Sequence, residues 1–297
     1  MQIQSSTFHA GRSSATSGWR GFTLVELLVV IGIIALLMGI LLPTLGRVRA
    51  QAAETKCKSN IRQWAQGLQM YLNDSRGTLP RAGGDGDSTG DAVGAWDDPA
   101  LWFNALPPRV SSPTYNELQL THASGGTRLP IEGDNSLFIC PSSTMAVKSP
   151  AEAAAVVSPA GYFNIYGREP GASSATYRET FICYVWNSKL DDNNDNIDVP
   201  VMKINQLRPA SKVAVVVEKR MQPGEAPKSI HRNRTLGRIK ADWQRFAGRH
   251  RQGGMIAFAD GHVEWLAEKD VQPIVDPYTG RERGNEFVIW SPLKTVQ

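Results

Sequence analysis

A few carboxylates, histidines and cysteines carry most of the chemistry this chain could perform. Glu26 is the lone acid in an otherwise apolar run from Phe22 to Leu42, interrupted only by it and Thr23. A charge facing lipid costs at least about 2.5 kcal/mol and usually has a partner or a function. A cut after Gly21 would free an α-amino group on Phe22 and leave the apolar run attached to the mature chain. That amine, on a neighbouring helix, could neutralise Glu26 and set the axial register between two copies.

The histidines lie elsewhere. His250 precedes Asp260-Gly261 by nine residues, and His262 follows. Placed together at one end of a hairpin, His250, Asp260 and His262 would offer metal ligands or a general-base pair. They would then mark a membrane-anchored, metal-dependent hydrolase. The groups are few, and Asp260 already has a turn role. No HExxH helix, nucleophile elbow, phosphate loop or dinucleotide fingerprint accompanies them, so His250 is expected to be structural and the chain not an enzyme.

Two oxygen-rich stretches could take calcium. Asp85, Asp87 and Asp91 lie in the Gly/Asp-rich loop 82–94, and Asp191, Asn193, Asp195 and Asp198 alternate after Trp186. An EF-hand is excluded in the second, because the turn glycine is missing and Met202 stands where a bidentate glutamate would close the loop. A looser calcium site or an Asx-rich turn is left. Cys57, Cys140 and Cys183 permit one disulfide at most, with three pairings open and isolated buried thiols as the alternative.

The formal charge of +4 is unevenly spread: Lys219–Arg251 holds ten Lys/Arg against Glu225 and Asp242. Without the leader's Arg12 and Arg20, the rest of the mature chain is left at about −6. Trp243 and Phe246 interleave with Arg232, Arg234, Arg238, Lys240, Arg245 and Arg249. An extended loop of this kind could stack and pair single-stranded nucleic acid, but contact with the acidic face of a second subunit is favoured.

The elements that must position these groups follow from periodicity. Residues 1–21 lack apolar periodicity and read as a removable leader. The apolar run makes about 21 helical residues, or about 31 Å, enough for a bilayer core of ~30 Å, so 22–43 is assigned as transmembrane. Leader arginines on one side and the larger domain on the other put the N-terminus in the cytoplasm and the domain in the periplasm of a bacterial inner membrane.

Beyond Pro43 an amphipathic stripe of Cys57, Ile61, Trp64, Leu68 and Tyr71 extends one helix to about Asp74, bent or loosened near Gly39 and Pro43. Arg47, Arg49, Lys56, Lys58 and Arg62 read as its solvated face, with anionic lipid as the alternative contact. Domain boundaries are thus 1–21 leader, 22–75 helix and 76–297 globular domain. Within the last, Ser136–Cys140, Thr180–Trp186 and Lys212–Glu218 read as strands, and Ser149–Gly171 as a loop with one short helix. A hairpin with a type I′ Asp260-Gly261 turn occupies 250–266, and Phe287–Trp290 adds an edge strand. The fold class is α+β, a long N-terminal helix packed on an antiparallel sheet.

The string Gly21-Phe22-Thr23-Leu24-Val25-Glu26 ahead of an apolar run resembles the processing site of type IV pilins and type II secretion pseudopilins. The resemblance implies a membrane peptidase/methyltransferase that cuts after Gly21 and methylates Phe22. It further implies that Glu26 guides assembly of subunits into a filament, and that Pro43 is the helix-bending proline. The His250–Asp260-Gly261 spacing, Phe138–Pro141 and the Cys57–Gln63 stretch resemble a pilin-like group known mainly from planctomycete-type bacteria, whose role is poorly defined. That resemblance covers both ends of the mature chain and implies no reaction.

Overall fold

The computed structural model describes residues 22–84, 92–123, 129–130, 134–143, 163–190, 202–221, 238–275, 278 and 282–291. The chain divides into two compact units, Met1–Arg49 and Ala50–Gln297.

Helix α1 runs from Leu24 to Asp74 and includes Pro43 without a break. Every residue of its first half, through Ala50, is exposed, and this half is long and apolar enough to cross a membrane. Pro43 brings no backbone N–H to the helical ladder. The following Thr44 turns its Oγ1 back onto the helix, donating to the Leu41 carbonyl at 2.8 Å.

Within the second unit the other half of α1 is a core element. Cys57, Ile61, Trp64 and Leu68 are fully buried, with Leu72 nearly so and Tyr71 at the margin. This is the expected stripe. It seats on the short helix α2 (Trp102–Ala105) and on the segment 136–140, and helix α3 (Tyr115–Ala123) reaches that segment through Tyr115, 4.9 Å from Phe138. Trp64 packs its ring 5.3 Å from both Trp102 and Phe138. Segment 136–140 is irregular backbone instead of the expected strand. Three of its carbonyls face α1: Asn60 donates to Ser136 and Ile139, and Trp64 Nε1 to Leu137. Side chains thus satisfy polar groups that a strand would have paired with a neighbour.

Strands β1 (Phe163–Arg168) and β2 (Ala175–Thr180) form a two-stranded antiparallel sheet. β1 lies where a loop was expected, because its Phe163 and Ile165 alternate with polar residues and bury one face despite the surrounding prolines.

The main sheet has five strands: β3 (Tyr184–Asn187), β4 (Ala214–Glu218), β5 (Lys240–Ala241), β6 (Gly253–Phe258) and β7 (Val263–Ala267). Their order is β5-β3-β4-β6-β7, antiparallel throughout except for the parallel β3/β5 pair. Both faces of β4 are buried, which explains its unbroken valines. The expected strand Thr180–Trp186 is cut at 181–183, its halves belonging to different sheets. A last short pair, β8 (Ile274–Val275) and β9 (Glu282–Arg283), follows. Phe287–Trp290 is no edge strand. It makes one isolated bridge, Ile289 to Val213, while Trp290 is buried.

The β6–β7 hairpin is present, but its turn is not type I′. A type I′ turn needs positive φ at both central residues; here Gly261 alone has it, at 95°. Phe258 N–H bonds His262 O, and Gly261 N–H bonds Phe258 O, so the loop has three residues, 259–261, and needs only one left-handed position.

Candidate functional site

At the N-terminus the sequence-predicted processing residue Gly21 lies outside the described residues, and Phe22 is the first described. Thr23 and Glu26 form a reciprocal cap on α1. The Glu26 carboxylate accepts Thr23 N–H and Thr23 Oγ1–H, each at 2.9 Å, while Thr23 Oγ1 accepts Glu26 N–H at 3.2 Å. This is the capping box of a Thr-x-x-Glu sequence, which fills helix N–H groups left without partners in the first turn. Glu26 therefore has an intrachain role that the expected intersubunit pairing did not include. The signal was legible in Thr23-Leu24-Val25-Glu26.

The alternative grouping of His250, Asp260 and His262 as metal ligands or a general-base pair does not assemble. The six residues of β6 span roughly 20 Å and carry the two ends of the motif to opposite ends of the strand. Asp260 and His262 pair with each other, Oδ1 to Nδ1 at 2.6 Å, on the surface. The His262 ring stacks on Phe258 at 4.3 Å. Their turn sits against α1: Gln69 Nε2 donates to the Ala259 carbonyl at 3.1 Å, and a Cβ on Gly261 would come 3.0 Å from Gln69 Cγ. The Asp-Gly end of the motif is thus a docking turn.

His250 is buried in the core. A tight loop holds it, with His250 and Gly253 exchanging backbone hydrogen bonds and Arg251 and Gln252 both at positive φ. Trp265 Nε1 donates to the His250 carbonyl, and Arg251 ion-pairs with Glu54 of α1. Its Nε2 lies 3.3 Å from Cys140 Sγ and 3.2 Å from Glu218 Oε1. Cys140 is bonded to Cys57, which selects one of the three pairings, and Cys183 stays a buried thiol that donates to Ser143 Oγ at 3.1 Å. Cys57, Cys140, Glu218 and His250 place one potential ligand atom each within 4.8 Å of all the others.

Glu218 is the residue missed in the sequence. It ends the valine strand β4 and is completely buried. Its Oε2 accepts Met255 N–H at 3.0 Å; Oε1 lies near His250 Nε2 without the alignment of a hydrogen bond. Gly254 makes room for it, since a Cβ there would meet Ala247 O at 2.5 Å and Glu218 Oε2 at 3.0 Å. Nearby, Tyr184 has its phenol pushed well above the ordinary value, first by burial and then by the Glu218 charge. A terminal acid after an apolar run was the only available sign that β4 carries a charge inward.

The basic segment is not extended where it is described. Lys219, Arg220, Lys240 and Arg245 are buried, and Phe246 belongs to the core. Lys219 Nζ donates to Arg238 O at 2.8 Å and lies 4.6 Å from the Phe163 ring centre. Arg249 donates to Lys219 O, and Arg245 faces Asp242 at 3.6 Å. These cations are committed inside the domain, so they form no open phosphate track with Trp243 and Phe246. Arg232 and Arg234 lie outside the described residues. So do both calcium candidates, Asp85, Asp87 and Asp91 as well as Asp191, Asn193, Asp195 and Asp198.

Near the same loop, Glu268 has a carboxyl pushed up to about 7 by burial, against the opposing pull of the Arg220 charge.

Residues 20–42 match the prokaryotic N-terminal methylation motif. The chain therefore carries a prepilin-type N-terminus on an apolar helix able to anchor it in a membrane. No curated protein and no solved structure matches the chain significantly.

Proposed function

We propose that this protein is a non-enzymatic filament subunit of the pilin-like kind, anchored in the bacterial inner membrane with its globular domain outside. The carrying observation is the methylation motif at 20–42 on a helix whose exposed first half carries an apolar run broken only by Glu26 and whose second half is built into a folded domain. A prepilin peptidase/methyltransferase removes 1–21 and methylates Phe22. The apolar helices of neighbouring subunits then pack together, as a type II secretion pseudopilus or a type IV pilus-like filament. The Phe22 amine of one copy meets the Glu26 carboxylate of the next. Thr23 contributes by orienting that carboxylate beside the helix start, where the helix dipole would otherwise have no anionic partner.

The resemblance of the His250–Gly261 spacing to a planctomycete-type pilin-like group supports a role for this motif in building the domain. Its histidine is interior and its Asp-Gly turn docks on α1. Nucleic-acid binding and hydrolysis are less well supported, the first because Lys219, Arg220, Lys240 and Arg245 are buried inside the domain and the second because His250 and His262 are apart. In cells that process the wild type, Gly21→Ala should accumulate as a slower-migrating, unprocessed chain. Glu26→Ala should be processed but should give few filaments. Normal maturation of the first variant, or an unchanged filament yield from the second, overturns the proposal.

A further inference from the structure

We propose that Cys57, Cys140, His250 and Glu218 form a zinc site in the reduced chain, and that the Cys57–Cys140 disulfide and the metal are alternative ways of closing the same core. The four donor atoms lie within 4.8 Å of one another. Ligands on a tetrahedral Zn²⁺ with bonds of about 2.0–2.3 Å are roughly 3.3–3.8 Å apart. The donors need only to contract modestly, with the two sulfurs separating from bonded to ligand distance. Two thiolates, one imidazole and one carboxylate are the ligand types zinc prefers.

Three features set this cluster apart from four polar groups met by chance. Its members come from four separate parts of the chain: helix α1, the segment before Pro141, the end of β4 and the loop before β6. All four are at most 4% exposed. Glu218 Oε1 is a buried carboxylate oxygen with no hydrogen bond, aimed at the cluster, while its other oxygen is fixed by Met255 N–H. The basic group that Oε1 faces is the His250 ring, 3.2 Å away, and a divalent cation held by both would neutralise the buried carboxylate. Fixing the second oxygen through a backbone donor is the outer-sphere support that metal ligands require.

The exchange balances. In a reducing compartment Cys57 and Cys140 are thiolates on Zn²⁺. On transfer to an oxidising one, a disulfide donor of the thiol-exchange class takes their electron pair and two solvent protons and becomes a dithiol. The Cys57–Cys140 bond forms and Zn²⁺ leaves. A metal-closed core would hold α1 on the domain before the disulfide exists.

The test uses the full-length chain in detergent, purified oxidised or reduced with a phosphine, and titrated with Zn²⁺ and with Co²⁺ as a spectroscopic probe. The reduced chain should bind one Zn²⁺ and the oxidised chain none. The Co²⁺ form should show tetrahedral ligand-field bands and a sulfur-to-cobalt charge-transfer band. Cys183→Ser should keep the site, and His250→Ala should weaken it at least about tenfold. Should the reduced, metal-free chain lose its fold, Zn²⁺ should restore the circular dichroism. The proposal is overturned if the reduced wild type takes up no stoichiometric metal, if the oxidised chain binds equally, or if His250→Ala leaves the affinity unchanged.

Discussion

Removing the Cys57–Cys140 link with a Cys57→Ala/Cys140→Ala double variant, in metal-free buffer, should be among the most destabilising changes available. The bond spans 83 positions, and freeing a loop of that size restores unfolded-chain entropy worth about 4.5 kcal/mol. Native geometry should survive, because Asn60 and Trp64 still bind the carbonyls of 136–139 and the Trp64–Phe138 contact persists. The loss therefore falls on the unfolded side of the equilibrium. Urea unfolding of the full chain in detergent, followed by fluorescence of the buried Trp64 and Trp102, reads it directly. With a slope of about 3 kcal/mol/M, the midpoint should fall by about 1.5 M, and the slope should rise because the unlinked chain exposes more surface. A midpoint within about 0.3 M of the oxidised wild type refutes the reasoning. Peptide mapping of the unreduced wild type should also yield a cross-linked pair containing Cys57 and Cys140, with Cys183 alkylated only after unfolding.

Gly254→Ala should destabilise the domain by about 1–3 kcal/mol, because the added carbon meets the Ala247 carbonyl at 2.5 Å before it reaches Glu218; thermal unfolding at unchanged stability would show that β6 can shift to admit it. Glu268 gives a pH dependence of defined sign. Its folded carboxyl is raised from 4.5 to about 7, so the folded state holds more protons across that interval, and stability falls as pH rises through it. Glu268→Gln should flatten this part of the stability profile, and an unchanged profile would assign the dependence elsewhere.

Local pattern made much of this protein legible. The apolar run 22–42, the stripe from Cys57 to Tyr71, the valine strand and the Asp-Gly hairpin each depend on periodicity or on turn chemistry among near neighbours. Errors arose where a local signal had a second solution. Asp-Gly serves a three-residue loop as readily as a two-residue one, and the apolar segment 136–140 satisfies most of its carbonyls with side chains from α1 instead of a strand ladder. His250 and Asp260 are close in sequence but not in space, because the extended strand between them carries nearby positions far apart.

By itself the sequence determined the apolar helix long enough to cross a membrane and the methylation motif on it, because both are read from one continuous stretch. It also contained the Thr23–Glu26 cap, which needs only a spacing of three. Only the tertiary structure decided that Cys57 pairs with Cys140, that Glu218 points inward, and that His250 joins them. Those four residues are separated along the chain and share no period. What unites them is the packing of the second half of α1 into the domain core, and no local rule encodes which buried polar groups will meet when a core closes.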